Sequence, residues 1–325
     1  MNIKDIAKKA GVSPATVSYV LNGKNKTSLA TREKILAIIK EEGYEFNGAA
    51  RDLKKQKSQI IAICLESLHG SFFNELIDGI EERAIGRNYN FIVATSYGEE
   101  KSSAYKILNE RRVDGAIILA PRLSDEFLLS IADKNISLVT LDRQLHHPRI
   151  CNILLNNRSG IYDAVSHLKN TGIKRIGYVN GIENHYDTIE RQAAFNEALV
   201  LNSLNYDDSI VFPGNFDQES GIAAGLELLK QPQLPEAMLC ANDETAIGLI
   251  HVLQEAGIKI PKQISIIGFD DIILSRYIQP TLSTISHPKQ ELGALAVDSL
   301  LALIAKQSVN DQILTTHFIS RHSSR

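Results

Sequence analysis

The sequence predicts an all-α helix-turn-helix head at the N-terminus, followed by a two-lobed α/β body with parallel sheets. Three observations support this fold class. The chain has 325 residues, more than one average domain. Residues 1–59 show helical periodicity and an excess of basic charge. Beyond residue 60, apolar strand-like runs alternate with amphipathic stretches.

The head begins with two short helices that meet at a glycine. Apolar residues of Ile3–Ala10 fall on one helical face, and Gly11 can take the positive φ of a tight inter-helix turn. Ser13 and the proline after it match an N-cap and a first helical residue, so Pro14–Leu21 is expected to be helical. A third helix after Ser28 closes a small apolar core. The pattern predicts a helix-turn-helix, with a ligand-free helical cap as the alternative.

The outer face of the second helix is small and polar, which suits a helix that enters a DNA groove. Its hydroxyl and amide groups fit phosphate oxygens and base edges. The residues on this face are Ala15, Thr16, Ser18, Tyr19 and Asn22.

Charge divides the chain at the end of the head. Residues 1–59 contain 12 Lys or Arg against 6 Asp or Glu, whereas residues 60–325 contain 23 against 32. Because exposed charges are screened beyond roughly 8 Å at physiological salt, an acidic body does not cancel the attraction of the head for phosphate. The net charge of −3 is therefore compatible with DNA binding.

The sequence favours a cytoplasmic protein. Its longest apolar runs, such as residues 60–65, are far shorter than the roughly 18 residues that cross a bilayer. The N-terminus lacks the continuous apolar segment of a secretory signal. Cys64, Cys151 and Cys240 are odd in number and widely spaced, which favours buried thiols over disulfides or metal ligands. No membrane span, cofactor or metal is expected.

Polar and aromatic residues follow the strand-like runs of the body, where α/β sheets bind ligands. The candidate contacts are Phe72, Phe73, Asp142, Arg191, Phe216, Asn242 and Asp270. Carboxylates, an amide and a guanidinium bond hydroxyls, and aromatic faces cover an apolar ring, so the set predicts a polyhydroxyl ligand. Taken singly, the aspartates could be helix N-caps and the phenylalanines core residues. Asp243 and Asp271 are expected to cap or brace their turns.

Two segments of the head, "IKDIAKKAGVSPATVSYVLNGK" and "TREKILAIIKEEGYEFNGAARDLK", closely resemble the LacI/GalR family of bacterial transcription regulators. The resemblance continues along essentially the whole chain, with "MLCANDETAIGLIHVLQEAGIKIPKQISIIGFDD" as the strongest motif of the body. It implies a helix-turn-helix domain at 1–46, a hinge helix at 47–58, and an effector-binding and dimerisation domain of the type I periplasmic-binding-protein fold at 59–325. The implied lobes are about 59–157 with 287–316, and about 158–286 with 317–325.

The resemblance also implies roles for individual residues. Ala15 and Tyr19 lie near base edges, and the phosphate contacts are Ser13, Thr16, Ser18 and Asn22. In the hinge, Asn47, Ala50 and Leu53 contact DNA, with the leucine wedged into a minor-groove step. Effector contacts are Asp142, Arg191, Asn242 and Asp270, beside an aromatic wall of Phe72, Phe73 and Phe216. Tyr19 and Asn156 depart from the arginine and aspartate common in the family, so a bidentate guanine contact and a carboxylate role are not carried over.

The implied function is that of a homodimeric repressor of transcription. Its affinity for a near-palindromic operator is switched by a small ligand, expected to be a sugar or sugar derivative, bound between the lobes. A carbohydrate-binding transport protein would explain the body, but it predicts a signal peptide and no basic head. An enzyme with a DNA-binding head is disfavoured because no catalytic motif is present. Control by a protein co-effector stays open.

Overall fold

The computed structural model describes residues 2–21, 26–44 and 58–325, and the chain forms two compact units, Met1–Ser58 and Gln59–Arg325. Within its described residues, the first unit contains three helices, α1 (Ile3–Ala10), α2 (Pro14–Leu21) and α3 (Leu29–Glu41). The second contains two six-stranded sheets, each with helices packed against it.

The three helices of the head begin and end where local chemistry dictates. Asn2 and Asp5 form a capping box at the start of α1, and Gly11 ends this helix in the left-handed conformation at φ 71°. The Ser13 hydroxyl accepts the Thr16 N–H at 3.1 Å, and Ser28 caps α3 in the same way. The core consists of Ile6, Ala7, Ala10, Val17, Val20 and Ile35. The predicted helix-turn-helix is confirmed.

The strands of the body form two sheets, which define two lobes. The lobe 1 strands are β1 (Ile60–Leu65), β2 (Asn90–Thr95), β3 (Gly115–Leu119), β4 (Ser137–Thr140), β5 (Ile150–Asn156) and β11 (Gln312–Thr315). The lobe 2 strands are β6 (Ile176–Val179), β7 (Val211–Phe212), β8 (Ala237–Cys240), β9 (Ser265–Asp270), β10 (Ser283–Ser286) and β12 (His317–Ile319). Their orders are β11-β5-β4-β3-β1-β2 and β12-β10-β9-β8-β6-β7.

Helices connect the strands and cover the sheets. Those of lobe 1 are α4 (Phe72–Gly86), α5 (Ser103–Asn109), α6 (Asp125–Asp133) and α11 (Lys289–Ile304). Those of lobe 2 are α7 (Asn157–Asn170), α8 (Tyr186–Leu201), α9 (Gln218–Leu228) and α10 (Asp243–Glu255). Short 3₁₀ turns occupy Glu99–Lys101, Asp208–Ile210 and Ile273–Arg276. Among the helices of the described residues, none is long and apolar enough to cross a membrane.

Both sheets are parallel, as predicted, with one exception at an edge. The central strands are apolar because helices cover both of their faces. Strand β12 instead pairs antiparallel with β10, placing Ile285 opposite Phe318. The chain passes between the lobes three times: at Asn156–Asn157, at His287–Pro288 and at Thr316. The Thr316 hydroxyl donates to the Asn156 carbonyl at 2.6 Å, so the first and third crossings are tied together.

Glycines let one pair of helices approach closely in each lobe. A Cβ on Gly79 of α4 would lie 2.1 Å from the Gln290 carbonyl oxygen of α11, and one on Gly293 of α11 would lie 2.3 Å from the Leu76 carbonyl oxygen of α4. In lobe 2, Gly221 of α9 and Gly248 of α10 meet the partner helix in the same reciprocal way. Each pair therefore packs backbone against backbone.

The three cysteines are buried free thiols. Burial raises the pKa of the Cys64 thiol to about 12, so this thiol stays protonated at neutral pH. The expectation of buried thiols is confirmed for all three cysteines.

Candidate functional site

The face of α2 predicted to meet DNA is accessible where the structure describes it. Ser13 and Ala15 are exposed, and Thr16, Ser18 and Tyr19 are partly buried. The Ser13 hydroxyl lies 2.9 Å from the Thr16 hydroxyl, so these groups form one polar patch at the start of the helix. Four further predicted contacts lie outside the described residues: Asn22, Asn47, Ala50 and Leu53.

Basic side chains lie close to this face. The Lys26 ammonium sits 5.5 Å from the centre of the Tyr19 ring, which places a cation beside the predicted base-contacting residue. Lys4 and Lys8 are exposed on α1, and the half-exposed Lys9 pairs with Glu42. The head thus combines a polar helix face with cations that attract phosphate.

A cavity of about 1190 Å³ lies between the two lobes of the body. It opens at the carboxyl ends of the strands, where ligands of parallel sheets bind. Six of the seven predicted effector contacts line it: Phe72, Phe73, Arg191, Phe216, Asn242 and Asp270. His69 and His185, to which the sequence assigns no role, line it as well.

Asp142 is the exception, and its predicted role as an effector contact is not supported by the structure. Its side chain is fully buried and accepts hydrogen bonds from Arg143 Nε at 3.0 Å and Nη2 at 3.1 Å. The same guanidinium donates to the Ala120 carbonyl at 2.8 Å. The Asp142 carboxylate is therefore paired with the adjacent Arg143, and this ion pair stabilises the loop after β4.

Arg191 is the buried cation of the cavity. It lies in the second turn of α8, which begins at Tyr186. Its guanidinium stacks on Phe269 at 3.6 Å, donates from Nε to Asn157 Oδ1 at 3.0 Å and donates from Nη1 to the Ala241 carbonyl at 2.6 Å. Because these contacts fix the plane of the guanidinium, its remaining nitrogen, Nη2, has a defined direction.

Asp187 completes the surroundings of Arg191. Its Oδ2 lies 3.8 Å from Arg191 Nη2, and its Oδ1 accepts from Asn157 Nδ2 at 2.9 Å. Asp187 also lines the cavity. Asp187 is absent from the contacts predicted from the sequence, although its place four residues before Arg191 on one helix was a usable signal.

Asn242 holds an aromatic residue in place. Its Oδ1 caps α10 by accepting the Thr245 N–H at 3.0 Å, and its Nδ2 donates to the Phe216 carbonyl at 2.8 Å. Phe216 adopts a left-handed backbone at φ 60°, a conformation that costs a non-glycine residue of order 1–3 kcal/mol. Its ring occupies the space that a Cβ on Gly181 would need, at 2.1 Å. Asn242 therefore serves both as the N-cap of α10 and as part of the cavity wall.

The other aromatic residues of the cavity belong to lobe 1. The rings of Phe72 and Phe73 meet edge to face at 5.4 Å between centroids, and Phe72 lies 5.7 Å from the His287 ring. Both phenylalanines also pack against the core of lobe 1. Phe72 and Phe73 therefore belong both to the edge of the lobe 1 core and to the lining of the cavity.

Asp270 brings a carboxylate into the cavity at the end of β9. Only 7% of its side chain is exposed, and its Oδ1 lies 3.4 Å from His287 Nε2. The next residue faces away: the Asp271 carboxylate pairs with Arg276 at 3.0 Å and with Arg321. Asp271 therefore braces the turn, as predicted.

Asp243 braces the same turn from beneath. Its two oxygens accept from the Ile272 N–H at 2.9 Å and from the Thr284 hydroxyl at 2.5 Å. Burial and the neighbouring Asp270 raise the pKa of Asp243 well above its usual value.

Glu244 joins the two lobes at the edge of the cavity. One oxygen accepts from both the N–H and the hydroxyl of Ser71 in lobe 1, each at 3.1 Å, and the other accepts from Gln218 at 2.7 Å. This contact was not predictable from the sequence because it joins residues far apart in the chain. Within the described residues, no group of three or more His, Cys, Asp or Glu is placed to hold a metal ion.

His287 is expected to make the stability of the body depend on pH. Burial lowers the pKa of this histidine, which faces Asp270, Lys289 and Arg191. Because the folded pKa lies below the unfolded value, the contribution to stability is present above pH 6.5 and is lost as pH falls through the folded pKa.

His287→Gln is therefore expected to reduce the fall in Tm between pH 7.5 and pH 5.5. The reduction should be roughly 2–4 °C for each kcal/mol by which protonation of His287 lowers the free energy of unfolding. Thermal unfolding followed by circular dichroism at both pH values measures this change. His251→Gln, at an exposed position, is the control. An undiminished pH dependence in His287→Gln would contradict the assignment.

Two regions of the chain match known protein families. Residues 2–47 match the family model described as bacterial regulatory proteins, lacI family, and residues 165–324 match a periplasmic binding protein-like domain. The probable HTH-type transcriptional repressor ExuR of Bacillus subtilis (strain 168) is 35% identical over 332 aligned residues, covering 100% of this chain and 98% of the relative.

Solved structures agree with the sequence matches. The lac repressor dimer bound to operator and the anti-inducer ONPF superposes with a TM-score of 0.86 at 29% identity, covering 99% of this chain and 98% of that one. The complex of the transcriptional regulator CelR with cellobiose superposes with a TM-score of 0.74 at 26% identity, covering 99% of each chain.

Proposed function

Because the chain belongs to the lacI family of bacterial regulatory proteins, we propose that it is a transcriptional repressor whose affinity for operator DNA is switched by a small ligand. The ligand binds in the cavity between the two α/β lobes, and its differential affinity for two lobe arrangements changes the affinity for DNA. Fold class and family, both expected from the sequence, agree with the comparisons.

One observation carries the proposal: the cavity contains a buried, oriented guanidinium, that of Arg191 in α8, and a buried carboxylate, that of Asp270 at the end of β9. Such groups are costly to bury unless they have partners. A ligand with hydroxyl groups supplies both donors and acceptors, and Phe72 and Phe216 cover its apolar face.

The ligand class follows from these groups. We assign a sugar or sugar derivative, because hydroxyl-bonding side chains and aromatic faces converge in the cavity. The similar CelR structure is a complex with cellobiose, which supports a carbohydrate ligand. No catalytic role is assigned to any residue, and the similar ExuR of Bacillus subtilis is named as a probable transcriptional repressor.

The DNA contacts are assigned to the head and the segment after it. Residues 1–46 form the DNA-binding domain, 47–58 the hinge and 59–325 the effector and dimerisation domain. Within the head, Ala15 and Tyr19 contact bases, and the phosphate contacts are Ser13, Thr16, Ser18 and Asn22. Two copies of the chain bind the halves of a near-palindromic operator in the cytoplasm, in keeping with the dimer of the similar lac repressor.

Selection of bound fragments from genomic DNA, followed by titration of sugars onto the complex, tests this function. The full chain is expected to enrich a near-palindromic site, and one sugar is expected to change its affinity for that site. Binding is also expected to fall steeply with salt, as phosphate neutralisation requires. Failure to enrich any site would contradict the role in DNA binding, and an affinity indifferent to every ligand would contradict the switch.

Leu53→Ala tests the hinge. If Leu53 enters a minor-groove step and kinks the duplex, its removal is expected to weaken specific operator binding by about tenfold or more. Non-specific DNA binding, which needs no kink, is expected to change little. Fluorescence anisotropy with operator and scrambled duplexes measures both, and Leu29→Ala, an exposed leucine of α3, is the control. Equal losses on both duplexes would rule out the wedge.

A further inference from the structure

Lys289 is a buried lysine beside the cavity. It is the first residue of α11, directly after the chain returns from lobe 2 to lobe 1, and it is only 3% exposed. Its ammonium donates to the Asp270 carbonyl at 2.5 Å and to the Asp271 carbonyl at 3.2 Å. Buried lysines are rare, because removing an ammonium from water is costly. Specific contacts must therefore offset the cost of burying the Lys289 ammonium.

The backbone that Lys289 holds is strained. Asp270 has φ 108° and Asp271 has φ 51°, so two successive non-glycine residues lie in the left-handed region. Each such conformation is unfavourable for a non-glycine residue and persists only where its surroundings enforce it. The other contacts that hold this turn come from lobe 2: Asp243, Thr284, Arg276 and Arg321. Lys289 reaches the turn from a helix of lobe 1.

A contribution to folding stability does not explain why position 289 holds an amine. A methionine of similar length would fill the same space without the cost of burying a charge. The nearest carboxylate, Glu75, lies 3.6 Å away with 39% of its side chain exposed, which makes it a weak ion-pair partner. The contacts that distinguish lysine from an apolar residue here are therefore the two carbonyl bonds.

Those bonds act on the residue that carries the cavity carboxylate. The Asp270 carbonyl and the Asp270 side chain leave the same Cα, so holding the peptide between Asp270 and Asp271 constrains the direction of the Cα–Cβ bond that carries the carboxylate. We propose that Lys289 is a positioning residue for effector binding: it holds the strained turn from lobe 1 and so directs the Asp270 carboxylate into the cavity. The inference rests on the proposed function, since it assigns Asp270 to the effector.

The first test needs no effector. In full-length protein, Lys289→Met is expected to speed amide hydrogen exchange of Asp271 and Ile272 by about tenfold or more, because the turn loses hydrogen bonds from a charged donor. Lys306→Met, at an exposed lysine just beyond the end of α11, is the matched control and should leave both amides unchanged. Unchanged exchange in Lys289→Met would overturn the inference and leave the proposed function intact.

The second test measures ligand binding by variants of Lys289. The probe is whichever of D-glucose, D-galactose, D-ribose, cellobiose, D-galacturonate and glucose 6-phosphate raises the Tm of the wild-type protein most. Lys289→Met is expected to weaken its binding by about tenfold or more, with the Tm of the ligand-free protein unchanged or raised. Lys289→Arg, which keeps a charged donor, is expected to recover part of the affinity, and it replaces the methionine variant if that one does not fold.

A double-mutant cycle tests whether Lys289 affects ligand binding through Asp270 or independently of it. If Lys289 acts through Asp270, the variant with both Lys289→Met and Asp270→Asn binds the probe no more weakly than Asp270→Asn alone. Additive losses, or a lower Tm with undiminished affinity, would overturn the inference. If no probe raises the Tm, the carbohydrate assignment fails, and hydrogen exchange still decides whether Lys289 holds the turn.

Discussion

Arg191→Met is expected to abolish the effector response, weakening effector binding by more than about 100-fold. The guanidinium stacked on Phe269 is the one buried cation among the residues that line the cavity, and methionine would replace it without offering a donor. Asp187 and Asn157 would also lose the partner that orients them. Binding of operator by the ligand-free protein is expected to stay within about twofold, because the head is unchanged.

Calorimetric titration with the effector and anisotropy with operator DNA measure the two effects of this substitution. Arg158→Met is the control, because Arg158 lies on lobe 2 with 39% of its side chain exposed and pairs with Glu197 and Glu190. Arg191→Lys keeps the charge but loses the planar stack, and we expect it to lose most of the response. An undiminished response in Arg191→Met would remove this residue from the effector site.

Gly79→Ala is expected to destabilise lobe 1 by about 3 kcal/mol or more. The new Cβ would lie 2.1 Å from the Gln290 carbonyl oxygen, which belongs to helix backbone and cannot turn aside as a side chain would. Helices α4 and α11 would have to separate, and the core between them would open. Urea unfolding of the full-length protein, followed by circular dichroism, measures the loss.

Gly86→Ala is the matched control for this substitution. Gly86 ends the same helix, and a Cβ there meets nothing within 4 Å. Alanine is therefore expected to stabilise the helix by up to about 1 kcal/mol. Equal effects of the two substitutions would show that helix propensity, and not the close crossing, governs both positions.

Local chemistry made the head predictable. Gly11, Ser13 and Ser28 end or begin helices through contacts within a few residues, and those contacts can be inferred from the residue types alone. The long apolar strands of the body were predictable for a similar reason. The short strands β10 and β12 were not, because residues 283–286 are mainly Ser and Thr and their pairing depends on a segment more than 30 residues away.

The cavity was predictable only in part. The rule that ligands bind at strand ends selected Asn242 and Asp270, which line the cavity. It also selected Asp142, whose neighbour Arg143 takes the carboxylate instead. Glu244 and Lys289 were missed because each acts across the two lobes, on Ser71 and on the turn at Asp270. Such contacts depend on how the lobes meet, and no local pattern encodes that.

The close crossing of α4 and α11 has a mechanical consequence. Near the cavity the two backbones touch at Gly79 and Gly293, and toward the other end of α4 both Arg83 and Arg87 pair with Asp298 of α11. Because the backbones of α4 and α11 are in direct contact, we expect the two helices to move together as one body of roughly 22 Å, the length of α4. A ligand that displaces Phe72, the first residue of α4, is therefore expected to shift α11 as well.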